Sequence, residues 1–332
     1  MKRIDHYWYH LNILSVLLFP ITLLFCLLVT LRRLLYRWHW LKSETFPVPV
    51  IVVGNISVGG TGKTPLVVAL VEWLKQAGYH PGVISRGYRG QATAWPQAVD
   101  PQSDPLWVGD EAVLLAGRCQ CPMVVGPERS ASIQQLLAQH QCDVIVSDDG
   151  LQHYRMARAI EIAVVDGQRR FGNGLCLPSG PLREPISRLK SVDFVVVNGG
   201  QAEPSEYAMR LQSLLFHRVD APTQVRDVAA FAGQRVHAIA GIGNPQRFFQ
   251  HLSALGLDVV PHAFPDHHDF TSDDLQFEPC LPVIMTEKDA VKCRAFGSDQ
   301  HWYLAVEGHL NTDFFTQLLT LLRNHPHGSK TD

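Results

Sequence analysis

The chain lacks the features that mark several protein classes. Its 332 residues carry a formal net charge of −2, and the body of the chain has no basic tract interleaved with aromatics, so we expect no nucleic-acid partner. Its seven cysteines show no paired spacing, and the pair formed by Cys119 and Cys121 has no second Cys or His pair at zinc spacing. We therefore expect inert thiols in a reducing compartment, without disulfides or zinc.

One glycine is also missing from an otherwise complete phosphate-binding loop. Residues 57–64 read SVGGTGKT between an apolar segment at 48–53 and another at 66–70, and Ser57 stands where the strict pattern has its first glycine. The order strand, glycine-rich loop and helix lets backbone N–H groups close around phosphate oxygens at the positive end of the helix. The binding residues predicted by this pattern are Gly59, Gly60, Thr61, Gly62, Lys63 and Thr64, with Lys63 on the outer phosphates of a nucleotide and Thr64 on magnesium.

The body of the chain alternates between strand and helix patterns. Hydrophobic residues make up 46% of the chain and charged residues 18%, which is typical of a folded protein. Apolar strands bounded by helices predict an α/β fold with a P-loop NTPase-like, doubly wound parallel sheet. A composition shift near residue 200 and a second αβ pattern after it predict three parts: an N-terminal segment at 1–45, a P-loop core at 46–200 and a smaller α/β domain at 201–332.

The N-terminal segment is long and apolar. Residues 11–31 carry no charge, and 21 residues suffice for a helix to cross about 30 Å of hydrocarbon. A cleaved signal peptide and a helix buried in a soluble core are the alternatives, but the run is long for a signal peptide and lacks its exit site. The basic residues Arg32, Arg33, Arg37 and Lys42 outnumber Lys2 and Arg3. This asymmetry predicts a membrane helix that leaves the main body in the cytoplasm.

Two acidic pairs are candidates for chemistry. Asp148 and Asp149 follow an apolar strand, as in the Walker-B arrangement that holds magnesium, although they could be ordinary loop aspartates. Asp110 and Glu111 open a helix, where Asp110 is well placed as an N-terminal cap. Because phosphoryl transfer to an alcohol needs a carboxylate near the hydroxyl, this second pair stays a candidate for the base.

Three other segments have weaker signals. The stretch FPDHHDF at 264–270 places a His beside a carboxylate, which suits proton transfer. The alternative interpretations are a metal site and an ordinary surface loop. The loop at 169–188 has glycines and arginines suited to a lid over phosphates, or it is an ordinary connection. The stretch TEKD at 286–289 has a faint likeness to the base-reading motif of GTP-binding proteins, and GIGNP at 241–245 favours a tight turn over a dinucleotide fingerprint.

Nine stretches in order along nearly the whole chain carry a resemblance to a known family. They are 53–65 (VGNISVGGTGKTP), 85–88 (SRGY), 109–111 (GDE), 148–153 (DDGLQH), 169–174 (RRFGNG), 180–185 (GPLREP), 241–245 (GIGNP), 264–268 (FPDHH) and 285–289 (MTEKD). With the N-terminal apolar segment, these stretches resemble the tetraacyldisaccharide 4′-kinases of lipid A biosynthesis. Ser57 is normal for this family.

The resemblance implies ATP-dependent phosphorylation of the 4′-hydroxyl of a tetraacylated glucosamine disaccharide 1-phosphate, giving lipid IVA. It also implies a role for each matching residue. Lys63 contacts phosphates; Thr64, Glu111, Asp148 and Asp149 hold Mg²⁺; Asp110 activates the sugar hydroxyl with help from His267; Arg183 and Glu184 lie near nucleotide and substrate. His267 is preferred to His268 because the motif begins with Asp-His.

The resemblance places the protein at the cytoplasmic face of the bacterial inner membrane. Its partners would be the glycolipid substrate and inner-membrane lipid, and we expect a monomer. The alternatives are a membrane-anchored P-loop ATPase without a lipid acceptor and a nucleotide-binding scaffold without turnover. The pair formed by Asp110 and His267 discriminates between them, because a pure ATPase has no need of it.

Overall fold

The structure of the protein is a computed structural model that describes residues 7–213 and 215–326. Lys2 and Arg3, which entered the topology prediction, lie outside the described residues. Fifteen strands in this part of the chain form two sheets. The first contains β1 (Val50–Gly54), β2 (Pro81–Ser85), β3 (Gln97–Ala98), β4 (Met123–Val125), β5 (Val144–Asp148), β6 (Ile160–Asp166), β7 (Phe194–Asn198), β8 (Tyr207–Gln212) and β15 (Glu307–His309).

The order of strands in the first sheet is β15-β8-β7-β6-β1-β5-β2-β4-β3. The seven inner strands are parallel, and the edge strands β3 and β15 are antiparallel to their neighbours. Every residue of β1, β2 and β5 is buried, as expected for parallel strands covered on both faces. The predicted doubly wound α/β fold is therefore confirmed, with two short antiparallel strands added at its edges.

Helices cover both faces of this sheet. One face packs against α2 (Lys63–Gln76), α4 (Asp110–Cys119) and α8 (Thr312–Asn324), and the other against α5 (Arg129–Gln139). Leu70 and Phe314 are fully buried in the first layer, while Ile133 and Leu136 fill the second. The helix α3 (Pro105–Val108) lies immediately before α4.

The second sheet has six strands in the order β10-β9-β14-β13-β11-β12. Its strands are β9 (Leu215–Arg218), β10 (Val225–Asp227), β11 (Arg235–Ala240), β12 (Asp258–Ala263), β13 (Val283–Thr286) and β14 (His301–Leu304). The helices α6 (Pro245–Ala254) and α7 (Glu287–Cys293) accompany the parallel strands. We call this sheet with its helices the second lobe, and the nine-stranded sheet with its helices the first lobe.

The chain enters the second lobe beyond residue 200 and later returns to the first. The strands β8 and β15 and the helix α8 all come from beyond that residue, yet they complete the first lobe. The chain therefore leaves the first lobe after β8, builds the second, and returns. The predicted domain limits of 46–200 and 201–332 stay a prediction.

The first helix, α1 (Ile13–Arg37), lies on the surface. Within it only Ser15 and Thr22 are buried, while Leu17, Leu24 and Leu28 are exposed. This exposure contradicts the alternative of a helix in a soluble core. The helix is long and apolar enough to cross a membrane.

Candidate active site

The phosphate loop joins β1 to α2 as the sequence predicted. Gly62 is the N-cap of α2 with φ of 91°, and Gly59 has φ of 102°, so both need the left-handed backbone that glycine allows. Ser57 has no such need. It forms an antiparallel bridge with Leu182, and the neighbouring Val58 N–H donates to the Pro181 carbonyl at 2.8 Å. The missing glycine is explained by this bridge, because extended backbone accepts a serine.

Lys63, Asp149 and Arg183 meet beside the loop. The Lys63 ammonium lies 3.5 Å from Asp149 Oδ1, and Arg183 Nη1 lies 3.1 Å from both oxygens of the same carboxylate. Burial favours the neutral acid, but Lys63 and Arg183 outweigh it and lower the pKa of Asp149 to about 2. The predicted lid arginine therefore lies at the phosphate site, and Asp149 holds two cations in place.

Asp148, the last residue of β5, has the opposite electrostatic environment. The Ser85 hydroxyl donates to its Oδ2 at 3.2 Å, whereas its buried Oδ1 has no hydrogen-bond partner among the described residues. Burial raises its pKa to about 6, with Lys63 opposing and Glu111 and Asp149 reinforcing the shift. An unpartnered buried carboxylate oxygen is a position where a cation would replace lost hydration.

The predicted cap at Asp110 is wrong. Gly109 is the N-cap of α4 with φ of 94°, and Asp110 is the first helical residue. Its Oδ1 accepts from the Glu111 N–H at 2.8 Å, and its Oδ2 lies 2.9 Å from His267 Nδ1. One carboxylate oxygen of Asp110 therefore contacts the first turn of its own helix, and the other contacts a distant part of the chain.

His267 reaches Asp110 from the second lobe. Its φ is 59°, unusual for a residue with a side chain, and its N–H donates to the Gly241 carbonyl at 3.0 Å. Asp289 is fully buried and accepts from the Gly241 N–H at 2.9 Å, so it holds the tight turn at 241–245. That burial contradicts the base-reading interpretation of the TEKD stretch. His268 lies 3.2 Å from Asp274 instead.

Two lysines of α7 were missed in the sequence. Lys288 Nζ lies 3.2 Å from His267 Nε2 and 3.0 Å from Glu111 Oε1, and Lys292 Nζ lies 4.0 Å from Asp110 Oδ2. Burial would raise the pKa of Asp110, but the His267 hydrogen bond and then Lys288 lower it overall. The sequence did contain a signal for this pair, because Lys288 and Lys292 stand four residues apart on a helix that follows a buried strand and so lie on one face of it.

The predicted metal residues do not all behave alike. Among the described residues, no three His, Cys, Asp or Glu side chains are arranged to hold a metal by themselves. Magnesium commonly uses one or two carboxylates together with phosphate oxygens and water, so a smaller set suffices. Asp148 fits this requirement through its unpartnered oxygen, and Thr64 lies in the first turn of α2. Asp149 and Glu111 are engaged by cations instead.

Glu184 makes its hydrogen bonds and its ion pair with protein side chains. Its side chain is buried, accepts from Gln152 Nε2 at 2.9 Å and from the Tyr154 hydroxyl, and lies 3.8 Å from Arg188. These contacts occupy both carboxylate oxygens in the interior of the loop. The structure therefore brings Arg183 to the site and leaves its neighbour Glu184 as an internal anchor.

Comparison with protein families gives a match over most of the chain. The family described as tetraacyldisaccharide-1-P 4′-kinase matches residues 14–323. A tetraacyldisaccharide 4′-kinase of Nitrosococcus oceani is 51% identical over 317 residues, which is 96% of this chain and 93% of the relative. The enzyme of that description from Hahella chejuensis is 46% identical over 331 residues, covering 97% and 98% of the two chains.

A solved structure also resembles this fold. It is LpxK from Aquifex aeolicus in complex with ATP, with a TM-score of 0.78 and 26% sequence identity. The likeness covers 93% of this chain and 98% of that one.

Proposed function

The chain belongs to the tetraacyldisaccharide-1-phosphate 4′-kinase family, and from that premise we propose how its residues transfer phosphate from ATP to the 4′-hydroxyl of the acylated disaccharide. The observation that carries the proposal is the 2.9 Å contact between Asp110 and His267. Each lobe contributes one partner of this pair. A P-loop protein that only hydrolyses ATP has no need for such a pair.

Asp110 receives the hydroxyl proton in this mechanism. Its carboxylate is held ionised by His267 and Lys288, and His267 Nδ1 orients it through Oδ2. Because Lys288 has only hydrogens to donate, His267 Nε2 accepts from it and Nδ1 carries the proton that faces Asp110. This arrangement favours Asp110 as the base and His267 as the orienting partner.

Lys63 and Arg183 provide positive charge for the transferred phosphoryl group. The loose transition state of phosphoryl transfer depends on positioning and charge neutralisation, so the loop amides and these two cations are the main contributors. Magnesium, when bound, would neutralise phosphate charge, and Asp148 and Thr64 are the residues that would hold it. Glu111, which pairs with Lys288, and Asp149, which pairs with Lys63 and Arg183, are the other two predicted ligands.

The protein would act at the cytoplasmic face of the bacterial inner membrane. The lipid substrate lies in the bilayer and ATP in the cytosol, and the exposed face of α1 with the basic residues at its C-terminal end would hold the catalytic body between them. We propose a monomer, because one chain supplies every residue assigned above.

Incubation with labelled ATP and the disaccharide lipid in micelles tests the proposal. We expect a bisphosphorylated lipid, and Asp110→Asn should reduce its formation by about 100- to 10,000-fold, the usual contribution of a general base. The dissociation constant for ATP should stay within about threefold, since the base has no role in the phosphate cradle. Lys63→Ala should weaken ATP binding itself.

His268→Asn is the matched control, because His268 pairs with Asp274 rather than with Asp110. It should retain the rate of the natural chain. ATP hydrolysis at one rate with and without lipid, and no labelled lipid, would favour the ATPase alternative. A loss of ATP binding in Asp110→Asn as severe as in Lys63→Ala would contradict the role of Asp110.

A further inference from the structure

Three successive carbonyls of the phosphate loop accept hydrogen bonds from side chains that lie outside the loop's glycine-rich segment. Asn55 Nδ2 lies 3.4 Å from the Gly59 carbonyl and 3.2 Å from Thr61 Oγ1. Arg169 Nη2 donates to the Gly60 carbonyl. Asn198 Nδ2 donates to the Thr61 carbonyl at 3.0 Å.

Fixing a carbonyl also fixes the N–H that follows it. In a trans peptide the C=O and the next N–H point in opposite directions across one plane. Holding the carbonyls of residues 59, 60 and 61 therefore turns the N–H groups of Gly60, Thr61 and Gly62 away from the three side chains. In the part of the chain that the structure describes, no protein acceptor is hydrogen-bonded to these three N–H groups. They remain available to an anion.

Two of the three donors stand on the ends of central strands. Asn55 follows β1 and Asn198 ends β7, and both side chains are buried. In each, Oδ1 has no hydrogen-bond partner among the described residues. Because an unpaired buried oxygen is costly, the hydrogen bonds of Nδ2 to the loop are the interaction that each amide contributes. The Asn198 amide also packs so closely on Gly62 that a Cβ there would collide with it. A rigid sheet thus sets the position of both amides.

Arg169 is held from three sides. Its Nε lies 3.0 Å from Asp166 Oδ2 at the end of β6, and its Nη1 lies 3.5 Å from the Tyr9 hydroxyl just before α1. Burial lowers the pKa of Arg169, but Asp166 and then Tyr9 raise it by more. The guanidinium therefore stays charged. Its side chain is one-quarter exposed, which limits its freedom to swing away.

We propose that Asn55, Arg169 and Asn198 form a carbonyl brace, a set of positioning residues that keeps the phosphate loop shaped for ATP before ATP arrives. The inference rests on the proposed ATP site and adds residues to it. Loop amides that are already aligned bind phosphate without an ordering cost. The brace acts through the backbone, so it concerns every nucleotide whose β-phosphate enters the loop.

Equilibrium binding of ATP and ADP without lipid tests the brace. Arg169→Gln should weaken both nucleotides by about tenfold, as expected for one lost hydrogen bond from a charged group. Asn198→Asp keeps the size of the side chain but replaces the donor with an acceptor, and it should weaken both at least as much. Hydrogen exchange of residues 58–64 in the nucleotide-free protein should become faster in each variant.

Arg170→Gln is the matched control, since this neighbouring guanidinium pairs with Glu206 at 2.9 Å. It should leave binding and exchange unchanged. Weakened ATP with unchanged ADP after Arg169→Gln would mean a direct contact with the γ-phosphate and would overturn the brace. So would unchanged affinity in both brace variants with their thermal midpoints preserved. Failure of the natural chain to bind ATP would overturn the proposed function as well.

Discussion

At the scale of single residues, Asp148 and Asp149 show how neighbours of one type acquire opposite properties. Asp148 ends a buried strand, and burial dominates its pKa, which rises to about 6. Asp149 turns into the left-handed region with φ of 50°, meets Lys63 and Arg183, and its pKa falls to about 2. The sequence predicted both as acids at a strand tip, but it could not tell which one a lysine would reach.

The two aspartates should therefore respond in opposite ways to neutralisation at pH 8 without metal. Because the pKa of Asp148 is higher in the folded protein than in the unfolded chain, its ionisation lowers the free energy of unfolding as pH rises from about 4 through 6. At pH 8, Asp148→Asn removes this charge and should increase the free energy of unfolding by about 3 kcal/mol. A lowered pKa means that Asp149 contributes stability above pH 4, so Asp149→Asn should decrease it by about 1–2 kcal/mol. Thermal unfolding with a chelator present measures both.

Adding magnesium tests the proposed metal role of Asp148 separately from its cost to stability. Adding magnesium with ADP should raise the thermal midpoint of the natural chain, because a ligand that binds only the folded state stabilises it. The midpoint of Asp148→Asn should respond much less. If the natural chain stays less stable than Asp148→Asn at every magnesium concentration, the proposal that Asp148 binds the metal is wrong.

At the scale of elements, the loop at 169–188 is the part of the chain whose structure the sequence predicts least well. The helices α2, α5 and α6 follow from periodicity and caps: the sequence predicts helices at about 65–76, 130–139 and 245–255, and each limit agrees with the structure within two residues. The loop has no such period. Its shape is set by distant partners, such as the bridge between Ser57 and Leu182 and the buried cluster around Glu184.

Glu184→Gln tests whether this glutamate anchors the loop or contacts the nucleotide. Its carboxylate faces Arg188, Gln152 and Tyr154, and burial and then Glu184 raise the pKa of the Tyr154 hydroxyl. Arg188 keeps a second partner in Glu161 at 2.6 Å, so we expect a moderate loss of about 1–3 kcal/mol in the free energy of unfolding. Denaturant unfolding measures this loss.

The control for that measurement is Lys190→Gln, a charge change at an exposed position a few residues further along. It should leave stability unchanged. If Glu184→Gln instead weakened ATP binding with no change in unfolding, the carboxylate would belong to the nucleotide site and the anchor assignment would be wrong.

At the scale of the whole molecule, the path of the chain could not be predicted from the sequence. On its return to the first lobe, β15 pairs with β8, from Glu307 with Gln212 (95 positions apart) to His309 with Arg210 (99 positions apart), and local sequence patterns do not encode such a pairing. Its result is that the second lobe is an insertion within the first. The ion pair between Arg118 and Glu287, at 3.0 Å, and the contact of His267 with Asp110 then link the lobes at the site.

The helix α1 has two faces with different tasks. On one, Thr22 Oγ1 lies 2.8 Å from Ser179 Oγ, and Phe25 and Cys26 pack on the cluster of Ile56, Cys176 and Leu182 beside the phosphate loop. On the other, large apolar side chains are exposed, among them Leu17, Leu24 and Leu28. One helix therefore joins a surface suited to lipid to the loop that precedes the phosphate site.

Substitutions on the two faces of α1 should have different effects. Changing Leu17, Leu24 and Leu28 together to Ser should weaken binding to phospholipid vesicles by about 100-fold or more, from the apolar surface that no longer enters the bilayer. It should also raise the KM for micellar lipid while ATP affinity and the thermal midpoint stay unchanged. Thr22→Val on the packed face is the control, and it should lower the thermal midpoint while vesicle binding is retained. Equal vesicle binding by the triple variant would mean that the exposed leucines face something other than lipid, and the membrane assignment would then depend on the basic residues alone.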